Sequence, residues 1–182
     1  MKINKFLLAA SALAGALTMV GCAGTSTANS GAYEYADVLE MAERQADLST
    51  FVTATYEAGL EPTFSGRGPV TVFAPSDSAF EKLPDGTVAM LLEESNETQL
   101  RSILTYHTVG TTFTGADLTA AILNSANIYT ITTLNGQSLT ARVDDGEIVL
   151  VDNKGNEATV VATDINGSNG VAHVIDTVLM PR

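Results

Sequence analysis

Val70-Thr71-Val72-Phe73-Ala74-Pro75-Ser76-Asp77-Ser78-Ala79-Phe80 changes backbone geometry within a few residues. Val70 to Ala74 is a β-favouring run, and Pro75 has no N–H with which to continue a ladder. Ser76, Asp77 and Ser78 then offer side-chain oxygens that can cap a helix beginning near Ala79-Phe80-Glu81. A buried strand therefore runs straight into a helix. Towards the N-terminus the spacing is helical: Val38, Met41 and Ala42, then Leu48, Phe51, Val52 and Thr55, with Gly59 and Pro62 as stop signals. Towards the C-terminus two short helices follow, and Leu100, Ile103, Leu104 and His107 keep one apolar stripe until Val109-Gly110 ends it.

From Ile128 the period drops to two. Leu139, Ala141 and Val143 alternate with Ser138, Thr140 and Arg142, and Asp144-Asp145-Gly146 before Ile148 and Leu150 signals a hairpin. Asp152-Asn153-Lys154-Gly155-Asn156 reads as a second turn, Ala158 to Ala162 as a strand, and Val171 to Met180 as a long closing strand. On that strand His173 shares a face with Val171, Ile175, Thr177 and Leu179, while Asp176 shares the other with Ala172, Val174 and Val178. The two cannot pair directly without a bulge. No repeat of solenoid length is present, and the expectation is one α+β domain.

With 182 residues, 45% of them apolar, the chain suits one domain or two small ones and is too apolar for a disordered polymer. Its net charge of −12 disfavours nucleic acid as a partner. A single cysteine excludes a disulfide scaffold and a cysteine-based metal cluster.

That cysteine ends a leader. Lys2 and Lys5 precede an uncharged apolar run from Phe6 to Leu17, then Thr18-Met19-Val20-Gly21-Cys22. The run is too short for a bilayer, which takes roughly 20 residues of helix, and reads as a signal peptide over residues 1–21. Cys22 after Gly21 resembles the lipobox of bacterial lipoproteins, which implies acylation and a membrane anchor. Met19 departs from the usual branched aliphatic, so plain cleavage near Ala23 is the alternative. Residues 22–34, small and uncharged up to Ala32, read as the lipidated end and a flexible tether. Ala23 after the cysteine implies export to the cell envelope and the outer membrane.

Three blocks carry a family resemblance: Thr71 to Phe80, Leu104-Thr105-Tyr106-His107-Thr108-Val109-Gly110, and Asn169 to Pro181. In this order they resemble the signatures of the fasciclin-type domain, over residues 35–182. The resemblance implies a wedge or sandwich of about seven β-strands with a helical layer from the N-terminal half. It further implies secreted or surface-attached adhesion and matrix-type proteins with no shared catalytic activity and no cofactor. In animal members a Tyr-His pair is held to be an adhesion motif, which puts Tyr106 and His107 forward as binding residues, although packing explains them too.

Thr71, Pro75, Asp77, Phe80, His173 and Asp176 are read as structural, with the buried polar groups expected to find hydrogen bonds elsewhere in the fold. Hydrolase and nucleotide-binding motifs are missing from the sequence, and Lys154 spoils Asp152 to Glu157 as a calcium loop. No metal or catalytic residue is assigned. The expected function is non-enzymatic adhesion or envelope association through an unidentified surface protein or polysaccharide, with membrane attachment through the lipid. One alternative is a carrier of a small apolar ligand such as a carotenoid or lipid. A less favoured one is a hydrolase of envelope polymers acting through His107 or His173.

Overall fold

A computed structural model describes residues 36–182. The expected signal peptide, Cys22 and the tether lie outside the described residues. Four short helices lead in or follow the first strand: α1 Val38–Glu43, α2 Ser49–Glu57, α3 Glu61–Phe64 and α4 Asp77–Glu81, the last after β1 Val70–Pro75. Then come α5 Thr87–Leu91, α6 Glu97–Tyr106, β2 Thr108–Val109 and α7 Gly115–Asn124. The chain closes with β3 Tyr129–Thr132, β4 Ser138–Asp144, β5 Glu147–Val151, β6 Glu157–Asn166 and β7 Gly170–Ile175.

The seven strands form one sheet in the order β2-β1-β7-β6-β5-β4-β3. Only β1 and β7 run parallel, Val70 opposite Gly170 through Pro75 opposite Ile175; every other pairing is antiparallel. Side chains from all seven strands, among them Phe73, Val109, Ile131, Leu139, Leu150 and Ile175, meet in a single core with Leu118 and Ile122 of α7. A flat sheet could not bring both of its ends to one core, so this one curls. Its ends meet where the Leu134 N–H, just past β3, donates to Thr108 O in β2 at 2.8 Å.

A second core lies on the other face of β1 and β7. Val72, Ala74, Ala172 and Val174 pack there against Leu39, Phe51, Phe64 and Leu104 of the helical layer. These two interior strands are therefore buried on both faces, as continuous apolar runs inside a sheet should be. The two-residue parity of β7 decides which side chain enters which core: Ala172 and Val174 join the helical core, Ile175 the barrel core.

Three expectations need correction. The closing strand stops at Ile175 rather than Met180, because the N–H groups of Leu179 and Met180 bond side chains, His107 and Asp152, instead of a neighbouring strand. Pro62 does not simply terminate a helix; it sits in the first turn of α3, where its missing N–H costs nothing. The segment after His107 holds β2 and α7, of which the periodicity gave no element. α7 starts on a capping box, the Thr114 hydroxyl accepting from the Asp117 N–H at 3.1 Å while the Asp117 carboxylate accepts from Thr114.

Candidate functional site

His107 forms the C-cap of α6 and is completely buried. Ile103 O can only accept, so Nδ1 carries the proton and donates to it at 2.8 Å. Nε2 is then left to accept the Leu179 N–H at 3.1 Å. Burial pushes the imidazole down to about 4, against smaller opposing effects from the Ile103 bond and the nearby Asp152 charge. The ring is neutral near pH 7, with both nitrogens committed.

Tyr106 is equally buried but points into the barrel core. Its hydroxyl donates to Ser138 O at 3.0 Å and accepts the Asn153 N–H at 3.3 Å. Beside it Asp152, 6% exposed, closes the β5–β6 turn. Its carboxylate accepts from the N–H groups of Lys154 and Asn156, from the Asn156 amide, and from the Met180 N–H. Burial opposes the charge, but these bonds outweigh it and lower the pKa.

His173 stacks on Phe73, ring centroids 5.7 Å apart. Nε2 donates to Phe113 O at 2.8 Å, and Nδ1 accepts the Asp164 N–H at 3.3 Å. Asp164 sits in a β6 bulge with φ 63° and in turn accepts the N–H of Gly115 at the start of α7. The imidazole thus ties the bulge to the approach of α7, and burial lowers its pKa. Asp176 has separate partners: the Thr159 N–H at 2.8 Å, the Thr177 hydroxyl, and the Lys82 ammonium at 3.0 Å. The two residues do not meet, nor do the two histidines share a partner.

The block from Thr71 to Phe80 divides its labour. The Thr71 hydroxyl donates to Thr111 O at 2.6 Å and accepts the Phe113 N–H, fixing the loop before α7. Pro75 ends β1 opposite Ile175, and Phe80 is buried in the helical core. The cap of α4 comes from Ser76, whose Oγ accepts the Ala79 N–H. Asp77 does something else: its carboxylate accepts from the Ser49 hydroxyl and the Thr50 N–H, both at 2.8 Å. It caps α2 from another helix, since Leu48 at that position has no side-chain oxygen to offer.

Sequence alone assigns no role to Asn169, the first residue of the third block. Asn169 joins three segments, accepting the Val38 N–H at 2.9 Å and donating to Phe64 O at 2.6 Å and Gly66 O at 2.7 Å. Among the described residues no buried side-chain nitrogen or oxygen lacks a partner, and no helix is long and apolar enough to cross a membrane.

Comparison with known proteins meets the same blocks. The fasciclin domain model matches residues 46–181. The chain belongs to the fasciclin domain family. It is 42% identical over 144 residues to protein sll1483 of Synechocystis sp., covering 79% of this chain and 73% of that one. It is 34% identical to the immunogenic protein MPB70 of Mycobacterium bovis, covering 93% of this chain and 85% of the relative. Among solved structures, a domain pair from the insect cell adhesion molecule fasciclin I superposes with a TM-score of 0.71 at 23% identity, over 80% of this chain and 51% of that one. The fasciclin fold accounts for the positions of the three blocks: the first builds β1 and α4, the second joins α6 to β2, and the third supplies β7 and the C-terminal clasp.

Proposed function

We propose that this fasciclin domain is a non-enzymatic adhesion or matrix-association module, exported and held at the cell envelope by a lipid on Cys22. The observation that carries the reading is the complete commitment of both imidazoles. His107 and His173 each spend two nitrogens on backbone partners inside the fold, so recognition falls to the outer surface rather than to these rings. Tyr106, also fully enclosed, acts by shaping that surface. The fold likeness to a cell adhesion molecule supports the same reading, and so do the lysines and apolar run before Cys22.

The test compares the full chain with Cys22→Ser in a native envelope. Mass spectrometry of the wild type should find an acylated Cys22, and the wild type should retain a protein or polysaccharide fraction from intact envelope. An unmodified Cys22 would remove the anchor, and failure to retain anything would remove the adhesion role.

A second reading has one observation behind it. A groove of about 560 Å³ beside α7 is lined by Ala116, Ala120, Leu123, Ile148 and Val160, with Leu123 61% exposed. It suits a small apolar ligand. An absorbing or extractable lipid travelling with the protein from its host would favour the carrier over the adhesion module.

A further inference from the structure

A larger groove, about 770 Å³, opens on a different part of the surface. The start of α1, the loop before β1, the loop before α7 and the β6–β7 hairpin all contribute to it. Its walls are fixed from behind. Asn169 ties α1 to the loop after α3, the Ser168 N–H donates to Ala36 O at 2.9 Å, and Thr71 holds both Thr111 and Phe113. Ordering these loops on a ligand would cost little, since they are already ordered.

Asn169, Asn166 and Thr114 spend their side chains within the fold, but other polar side chains of the lining are unspent. Ser65, Thr112 and Ser168 present hydroxyls and Arg67 a guanidinium. Among the described residues none of these four side chains makes a hydrogen bond or ion pair within the protein. Asp37 commits one carboxylate oxygen to the Leu39 and Glu40 N–H groups, and among the described residues the other has no partner. The groove therefore offers donors and acceptors together. An Arg fork supplies paired donors, a carboxylate supplies acceptors, and hydroxyls supply both.

A ligand matching that mixture must carry many groups that both donate and accept. Sugar hydroxyls do. A polyanion is disfavoured, because the single Arg67 is set against Asp37 and a chain of net charge −12. An apolar ligand would strand the polar groups of the lining. We propose that this groove binds a short run of rings from a neutral polysaccharide. The proposal rests on the surface-association reading above and names the partner class for it.

The experiment is calorimetric titration of the full chain with neutral hexasaccharides of glucan, galactan, mannan and xylan type, and with a uronate hexasaccharide as the anionic counterpart. At least one neutral probe should bind saturably, with a dissociation constant on the order of 1 mM as befits few contacts. Arg67→Ala and Thr112→Val should each weaken that binding about tenfold, roughly one lost hydrogen-bonding group. Both side chains are exposed, and unchanged thermal unfolding would show the fold intact. Lys154→Ala, outside this groove, should leave binding unaltered. No saturable binding of any neutral probe, preference for the uronate, or indifference to Arg67→Ala each overturns the proposal. Envelope association is read in parallel: if it persists in the wild type while the sugars fail, the groove assignment falls and the adhesion reading stands. If it is missing in the wild type, that reading falls itself.

Discussion

The Nε2 atom of His107 accepts the backbone N–H of Leu179, a residue 72 positions later, at 3.1 Å. Together with the Asp152 carboxylate on the Met180 N–H, it takes over from the β ladder where β7 ends. His107→Ala removes one acceptor and leaves the buried Leu179 N–H without a partner, while Ile103 O keeps only the backbone N–H of residue 107. A loss of about 1–3 kcal/mol in chemical denaturation is expected. Asp152→Ala, which abandons four acceptor contacts, should cost at least as much. A His107→Ala protein as stable as the wild type would show that the clasp does not hold the C-terminus.

Acid should act on the same ring. His107 stays neutral in the folded chain down to about pH 4, whereas in the unfolded chain it protonates near 6.5. Between those values the unfolded state binds more protons, so stability falls as pH falls. The contribution is complete above 6.5 and lost by about 4, amounting to roughly 3 kcal/mol. His173, also lowered, adds to the slope in the same direction. Asp77, Asp152 and Asp176, all lowered, extend the loss into the carboxylate range below it. Unfolding titrations at several pH values should show the 4–6.5 slope, and His107→Gln should reduce it; an unchanged slope in that variant would assign it elsewhere.

Ser76 and Asp77 cap different helices and should fail differently. Ser76→Ala should cost about 1 kcal/mol, the ordinary value of an N-cap on its own helix. Asp77→Ala should cost about 1–2 kcal/mol through α2, and amide exchange should quicken first at Thr50 rather than in α4. Faster exchange confined to α4 would contradict the cross-helix cap.

Lys82 and Asp176 form an ion pair whose side chains are 52% and 36% exposed. Exposed pairs contribute little, so Lys82→Ala should change stability by less than about 0.5 kcal/mol. Asp176→Ala should cost about 1–2 kcal/mol, because the Thr159 N–H loses its acceptor as well. Equal effects of the two substitutions would mean that the ion pair, not the backbone bond, is what matters.

Much of this architecture is written locally. The turn at Pro75, the Asp144-Asp145-Gly146 hairpin and the alternation of β7 all follow from neighbours in sequence, but Asp176 falls just past the end of β7, so its separation from His173 comes from different partners and not from strand parity. What stays hidden depends on distant atoms. β2 is two residues long and exists because β1 pairs with it. Val178 to Met180 is as apolar as a strand, yet the Leu179 and Met180 N–H groups belong to an imidazole and a carboxylate. Asp77 looks like the cap of its own helix until α2 is folded beside it. α7 was readable in principle, since Thr114 and Asp117 have capping-box spacing, but exposed Leu123 beside buried Ile122 blurs its apolar stripe. The groove is least legible of all, being assembled from four separate loops and helix starts.

The parallel pairing of β1 with β7 places the first and last of the seven strands side by side, second and third in the order of the sheet. A nascent chain emerging from the ribosome therefore makes β1 long before its inner neighbour exists. Closing so long a loop is slow and is rewarded only at the end. Until the last strand is made, β1 keeps open the edge that β7 will occupy.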